Sequence, residues 1–94
     1  MVTFGQIQDK MLKIIKGDGK TIGTPVLFEP STRAERVAAE RTFICDRFGP
    51  EGVQWRRGIH FTLLGPDGLV SNWAIELMDG SRVDLYFDVS STTD

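Results

Sequence analysis

The chain has 94 residues, of which 40% are apolar, 26% charged and 10% aromatic, and its formal net charge is -2. This composition is typical of one globular domain and excludes a disordered chain. The single cysteine, Cys45, excludes an internal disulfide and a zinc site built from several cysteines of one chain. No run approaches the ~20 apolar residues that cross a bilayer, and charges interrupt the N-terminus where a signal peptide needs an apolar core. We expect a single soluble, cytoplasmic domain over residues 1–94, without cofactor or metal, ending in a flexible polar tail at 90–94.

Charge is spread unevenly along the chain. Residues 1–60 carry ten Lys/Arg against seven Asp/Glu, whereas residues 61–94 carry one against six. Neither half is extreme enough to indicate a nucleic-acid footprint. The composition therefore disfavours nucleic acid as a partner, and the lack of a spanning segment disfavours a membrane.

A helix is predicted over about residues 4–16. Thr3 and Gln6 have the spacing of a capping box, which satisfies backbone donors at a helix start. Gly17 suits the left-handed position that ends helices. The apolar residues recur every three or four positions and form one stripe: Phe4, Ile7, Met11, Ile14 and Ile15.

The next segment, residues 24–29, contains the short apolar run Val26, Leu27 and Phe28 between Pro25 and Pro30. Because proline cannot donate to a central ladder, the run is either a fourth, edge strand or an extended linker.

A second helix is predicted from Ser31 or Thr32 to the residues before Gly49. Thr32 and Glu35 repeat the capping-box spacing, and Gly49 followed by Pro50 is a stop signal. The predicted buried stripe is Ala34, Val37, Ala38, Ile44, Cys45 and Phe48, with Arg33, Arg36, Glu40 and Arg47 on other faces.

Three antiparallel strands are predicted over residues 53–63, 69–77 and 82–89. Apolar and polar residues alternate in each, which is typical of a sheet with one buried and one solvated face. The resulting fold class is α+β: two amphipathic helices on one face of a three-stranded antiparallel meander, in the order α-(β)-α-β-β-β.

The phase of the alternation predicts three-residue loops at 66–68 and 78–80. A three-residue loop places odd-numbered residues of one strand opposite odd-numbered residues of the next. The apolar residues of all three strands then lie on the same face of the sheet. Phe61 is then expected opposite Trp73, and Trp73 opposite Leu85.

The same register defines a candidate binding surface on the solvated face. Amphipathic aromatic and polar residues of this kind are enriched at interfaces. The candidate residues are His60, Asn72, Glu76, Asp84, Tyr86 and Asp88. They favour a small non-catalytic interaction domain of the adaptor, inhibitor or immunity type. Such a domain would bind a protein partner, or self-associate, through this face or a strand edge.

Two alternatives belong to other functional classes. His60 is expected opposite Ala74, which faces Asp84, so imidazole and carboxylate could serve a small enzyme, although no nucleophile lies beside them. The basic faces of the two helices could serve a nucleic-acid-associated regulator, whose binding would weaken steeply with salt.

Overall fold

A computed structural model describes residues 12–92 of the chain. Within this range it is an α+β structure with one helix and two antiparallel sheets. The elements are β1 Ile14–Lys16, β2 Leu27–Phe28, α1 Arg33–Phe48, β3 Trp55–Gly65, β4 Gly68–Leu77 and β5 Arg82–Asp88. No helix in this part of the chain is long and apolar enough to cross a membrane.

The larger sheet has the strand order β3-β4-β5, and α1 packs on one of its sides, called here the helix side. On β4 this side carries Ser71, Trp73 and Ile75, while Asn72 and Ala74 point to the opposite, outer side. The core between helix and sheet is a single cluster of apolar residues. Its buried members are Leu12, Val26, Phe28, Ile44, Trp55, Trp73, Ile75, Leu85 and Phe87.

The first predicted helix is wrong at its C-terminal end. Residues 4–11 lie outside the described residues, but Ile14–Lys16 is strand β1, paired antiparallel with β2. Gly17, with φ of 91°, follows β1. It lies so close to Pro25 that a Cβ atom added to Gly17 would be 1.8 Å from the Pro25 carbonyl oxygen. A strand is a favourable state for Ile14 and Ile15 because β-branched side chains suit strands at least as well as helices.

The uncertain segment at 24–29 contains a short strand. Leu27 and Phe28 form β2, and Val26 makes a parallel bridge to Phe87 of β5. The Val26 N–H donates to the Tyr86 carbonyl at 3.0 Å, and the Asp88 N–H donates to the Val26 carbonyl at 2.8 Å. This part of the chain therefore covers the outer edge of β5 at Tyr86 and Asp88.

The second predicted helix is confirmed as α1, but its buried face differs from the prediction. Thr32 is the N-cap and forms the predicted capping box with Glu35, and Gly49 ends the helix with φ of 98°. The buried positions are Arg36, Glu40 and Ile44, whereas Ala34 and Ala38 are exposed. The charged residues lie inward because Arg36 and Glu40 form an ion pair against the sheet, which compensates both charges.

The β4–β5 register agrees with the prediction. Trp73 lies opposite Leu85, Ala74 opposite Asp84, and Glu76 opposite Arg82. The Leu77 N–H donates to the Ser81 carbonyl at 2.8 Å across the predicted loop at 78–80. Gly80 has φ of 87°, the left-handed conformation that such a loop requires.

The β3–β4 register differs from the prediction by one residue. Gly65 lies opposite Gly68, so the loop is only Pro66 and Asp67. His60 consequently lies opposite Trp73, and Phe61 lies opposite Asn72. A one-residue shift moves side chains to the other side of a sheet. The shift therefore places His60 on the helix side and Phe61 on the outer side.

An irregularity in β3 between Arg57 and His60 restores the original phase. On its far side Arg57 lies opposite Ile75 and Trp55 opposite Leu77. An extra residue in one strand is a β-bulge, which re-aims the side chains beside it. Arg57 and His60 therefore both lie on the helix side, although an odd and an even position would ordinarily point apart.

We expect Gly58→Ala to destabilise the protein because the bulge brings this residue against β4. A Cβ at Gly58 would lie 2.8 Å from the Ala74 carbonyl oxygen. Overpacking of this kind typically costs about 1–3 kcal/mol of unfolding free energy, measurable by urea denaturation. Gly23→Ala is the control, because its Cβ would meet nothing closer than the Thr21 hydroxyl at 3.8 Å. Equal stability of the two variants would contradict this close approach.

The start of the predicted C-terminal tail makes contacts with the segment before α1. The Ser91 hydroxyl donates to the Phe28 carbonyl at 3.0 Å, and the Ser31 N–H donates to the Ser91 carbonyl at 3.2 Å. Thr92 forms a parallel bridge with Ser31. Residues 93–94 lie outside the described range.

Candidate functional site

His60 lies on the helix side of the sheet, not on the solvated face where it was predicted. Its ring stacks on the indole of Trp73 with 4.7 Å between centroids. Its Nε2 atom lies 2.6 Å from the Ser71 hydroxyl, within hydrogen-bonding distance. The predicted partnership with Asp84 is therefore wrong, because Asp84 lies on the outer side opposite Ala74.

Asn72 occupies the outer side of the central strand but is buried. Its side-chain amide donates to the Leu85 carbonyl at 3.1 Å. Val70 and Ala74, its neighbours on the same side of β4, are buried as well. The centre of the outer side is consequently not the solvated surface that the alternation predicted.

The remaining predicted residues, Glu76, Asp84, Tyr86 and Asp88, lie together on the outer side and are partly buried. Each carboxylate there has a local partner. Glu76 accepts from Arg56 Nε at 2.6 Å, and Asp84 pairs with Arg82 at 3.2 Å. Asp88 accepts from the Ser90 N–H at 2.7 Å. Whether these four residues bind a partner remains a prediction.

A cluster around Trp73 joins β3, β4 and the helix. The indole N–H donates to Glu40 Oε1 at 2.7 Å, and Glu40 pairs with Arg36 one helical turn earlier. The Arg57 guanidinium lies over the Trp73 ring, 4.8 Å from its centroid. Burial raises the pKa of Glu40, while the bonds from Trp73 and Arg36 oppose that rise. The cluster thus surrounds one buried indole of β4 with charged groups from α1 and β3.

The electrostatic surroundings of His60 are positive. Burial lowers the pKa of this imidazole from its ordinary 6.5. Arg57, Arg36 and Arg33 lower the pKa further, because a neighbouring cation disfavours a second positive charge.

We therefore expect an NMR titration to give His60 a pKa below 6.5, and Arg57→Gln to raise that pKa toward 6.5. Arg56→Gln is the control, since Arg56 lies on the outer side beside Glu76. The folded state favours the neutral imidazole, so the contribution of His60 to stability is complete above pH 6.5. It is lost as the pH falls through the folded-state pKa. A pKa above 6.5 in the unmodified protein would contradict the positive surroundings.

The β3–β4 hairpin exposes large apolar side chains, among them Ile59, Phe61 and Leu69, which the alternation had assigned to the buried face. Leu64 is 80% exposed, and Ile59 and Leu69 are each more than half exposed. Phe61 is 41% exposed and lies on the outer side. We call these four residues the hairpin patch. The two-residue loop Pro66–Asp67 was the missed signal, because only the shorter loop takes Phe61 off the helix side.

Strand β3 also has a free edge. It pairs with β4 on one side, and beyond the local bridge from Glu51 to Trp55 no other strand within residues 12–92 pairs with it. Unpaired backbone groups on such an edge are a template for pairing with another chain.

An open depression of about 230 Å³ at the other end of the sheet is smaller than most ligand pockets, which measure about 300–1,000 Å³. Its lining includes Trp55, Arg56, Glu76 and Met78. Within the described part of the chain, no three His, Cys, Asp or Glu residues are grouped so that they could hold a metal ion.

Comparisons with protein-family models, curated proteins and solved structures found no match to this chain.

Proposed function

We propose that this protein is a small non-catalytic interaction domain that binds a protein partner through the β3–β4 hairpin. The observation that carries the proposal is the hairpin patch beside a free strand edge. Of the eight large apolar residues exposed in the described part of the chain, four form this patch. Phe61 lies on the outer side and Leu64 and Leu69 on the helix side of the same hairpin, so apolar side chains flank the β3 edge on both sides.

Strand pairing is the mode of binding that suits this surface. A partner strand laid on the edge of β3 gains main-chain hydrogen bonds, while side chains on either side supply specificity. Leu64 and Leu69 lie opposite each other on the helix side, and Phe61 lies on the outer side. An added strand would therefore meet apolar side chains on both of its sides.

The experiment compares two lysine substitutions in a tagged copy recovered from its native lysate. Leu64→Lys places a charge in the hairpin patch. Met78→Lys places one at a similarly exposed residue, 75% accessible, at the other end of the sheet. We expect Leu64→Lys to lose a stoichiometric partner, or self-association measured as mass in solution, and Met78→Lys to keep it. Retention in both variants, or equal loss in both, would refute the proposal.

A further pair of variants tests the surface predicted on the outer side. Asp84→Ala and Tyr86→Ala alter partly buried residues of β5 that lie away from the hairpin loop. Loss of the partner in these variants, but not in Leu64→Lys, would place the interface on the polar outer side instead of the hairpin.

A further inference from the structure

One end of the free β3 edge is positively charged on the helix side. The bulge places Arg57 and His60 together there, and both contact the Trp73 ring, at 4.8 and 4.7 Å. Among residues 12–92, the carboxylate that pairs with the Arg57 guanidinium is that of Glu51, at the long distance of 3.8 Å. A charge-assisted bond is normally about 2.7–2.9 Å long, so this guanidinium retains capacity for a closer anion.

Behind these two residues lies Arg36, which is buried on α1. It pairs with Glu40, but within residues 12–92 its buried Nε atom has no hydrogen-bond partner. Arg57 and Arg36 both lower the pKa of the His60 imidazole, which shows that their positive charge reaches this end of the edge. Glu40 lies beneath the cluster and pairs with Arg36. The Arg57 guanidinium at this end of the edge therefore favours an anion.

The rest of the edge is apolar. After His60, the helix side of β3 carries Thr62 and Leu64, and the outer side carries Phe61 and Leu63. The regular part of the strand, beyond the bulge, runs from His60 to Gly65. The edge thus changes from cationic to apolar between His60 and Gly65.

From this charge arrangement we infer the chemistry of the partner that the proposed interaction would require. The geometry points to an extended, largely apolar segment of a partner protein that pairs with β3 and places a carboxylate beside Arg57 and His60. This inference rests on the proposed function, because it assumes that the free edge of β3 is the interface. It adds the class of partner, an acidic strand rather than a neutral or basic one.

The experiment titrates the full protein with blocked peptides of about six residues, a common strand length. Two peptides contain valine, threonine and one glutamate. The glutamate is the first residue in one peptide and the last in the other, because strands pair in either direction. Each has a control peptide in which glutamine replaces the glutamate. We expect one glutamate peptide to bind at least about tenfold more tightly than its match, a difference of about 1.4 kcal/mol. Binding should also raise the NMR pKa of His60, and Arg57→Gln should abolish the preference while Arg56→Gln preserves it.

The outcomes separate the inference from the proposed function. Equal binding of glutamate and glutamine peptides would overturn the acidic partner but leave strand pairing on β3 intact. If no peptide binds and the protein forms a dimer that Leu64→Lys dissociates, the occupant of the edge is a second copy. That result would overturn the acidic partner but not the proposed function. No peptide binding by a protein that is monomeric and captures no partner would overturn both.

Discussion

Replacing Trp73 by alanine is expected to lower the free energy of unfolding by about 3–5 kcal/mol, the usual cost of truncating a buried aromatic residue. Trp73 is completely buried at the centre of the core, and its indole N–H is bonded to the buried carboxylate of Glu40. The substitution removes packing area and also leaves Glu40 with one bond fewer. Urea denaturation followed by far-UV circular dichroism measures the loss independently of tryptophan fluorescence.

Two further substitutions separate these contributions. Trp73→Phe retains most of the ring but removes the donor to Glu40, so we expect an intermediate loss of about 1–3 kcal/mol. Leu64→Ala truncates an exposed residue of the same sheet, and its effect should stay within about 0.5 kcal/mol. If Trp73→Ala cost no more than Leu64→Ala, the indole would not be the centre of the core.

Replacing Arg36 by methionine is the second change for which we expect a large effect. It leaves the carboxylate of Glu40, which has no exposed surface, without its cation. Removing one partner of a buried ion pair typically costs about 3–5 kcal/mol because the other charge stays buried and uncompensated. Urea denaturation at neutral pH should therefore show a loss of this size.

The pH dependence of that loss has a defined sign. Because burial raises the pKa of Glu40 above its ordinary 4.5, its contribution to stability is complete below pH 4.5 and is lost as the pH rises through the folded-state pKa. Removing Arg36 raises the pKa of Glu40 further. The loss in Arg36→Met should therefore be largest at neutral pH and smaller near pH 4.5.

Two other variants test this explanation. Arg36→Met combined with Glu40→Gln removes both charges but keeps an acceptor for Trp73, so it should recover much of the lost stability. Arg56→Met breaks the exposed pair with Glu76 and should cost only about 0–1 kcal/mol. A loss in Arg36→Met as small as that in Arg56→Met would show that Glu40 does not depend on its buried partner.

The elements that could be predicted from sequence are those with a local signal. The capping box of Thr32 and Glu35 and the stop at Gly49 depend on residues within one turn of each other, and α1 has the predicted bounds. The loop at 78–80 likewise contains its own signal in Gly80. Such features need no information from distant parts of the chain.

The register of β3 could not be predicted in this way because it depends on two irregularities that compensate each other. A loop of two residues shifts the pairing by one residue, and the bulge before His60 shifts it by one more. The side chains before the bulge therefore return to their predicted side of the sheet, although their partners differ. The apolar residues alternate uniformly along residues 53–63, as they would in a strand without a bulge. The pattern therefore indicated neither the short loop nor the bulge. Ile59 and Phe61 were consequently assigned to the core, and His60 to the solvated face.

Charged and polar residues at buried positions were a second reason why the candidate site could not be predicted. Arg36 and Glu40 were assigned to an exposed helix face because ionised side chains are seldom buried alone. Their burial becomes favourable only through contacts with each other and with Trp73, which lies 33 positions beyond Glu40 in the chain. Conversely, Asn72 was assigned to the solvated face because it is polar, although its amide is bonded within the sheet.

The partly occupied outer edge of β5 limits how copies of this protein could assemble. At its C-terminal end, Val26 and Gly19 bond the backbone of Tyr86 and Asp88 on that side. Filament growth by sheet extension needs two open edges on every subunit, so that each addition exposes a new one. In the described part of the chain, β3 has no strand partner on its outer edge, whereas the edge of β5 is closed at Tyr86 and Asp88. Pairing of two copies through β3 would therefore leave only partly covered β5 edges outside, which disfavours further growth into a fibre.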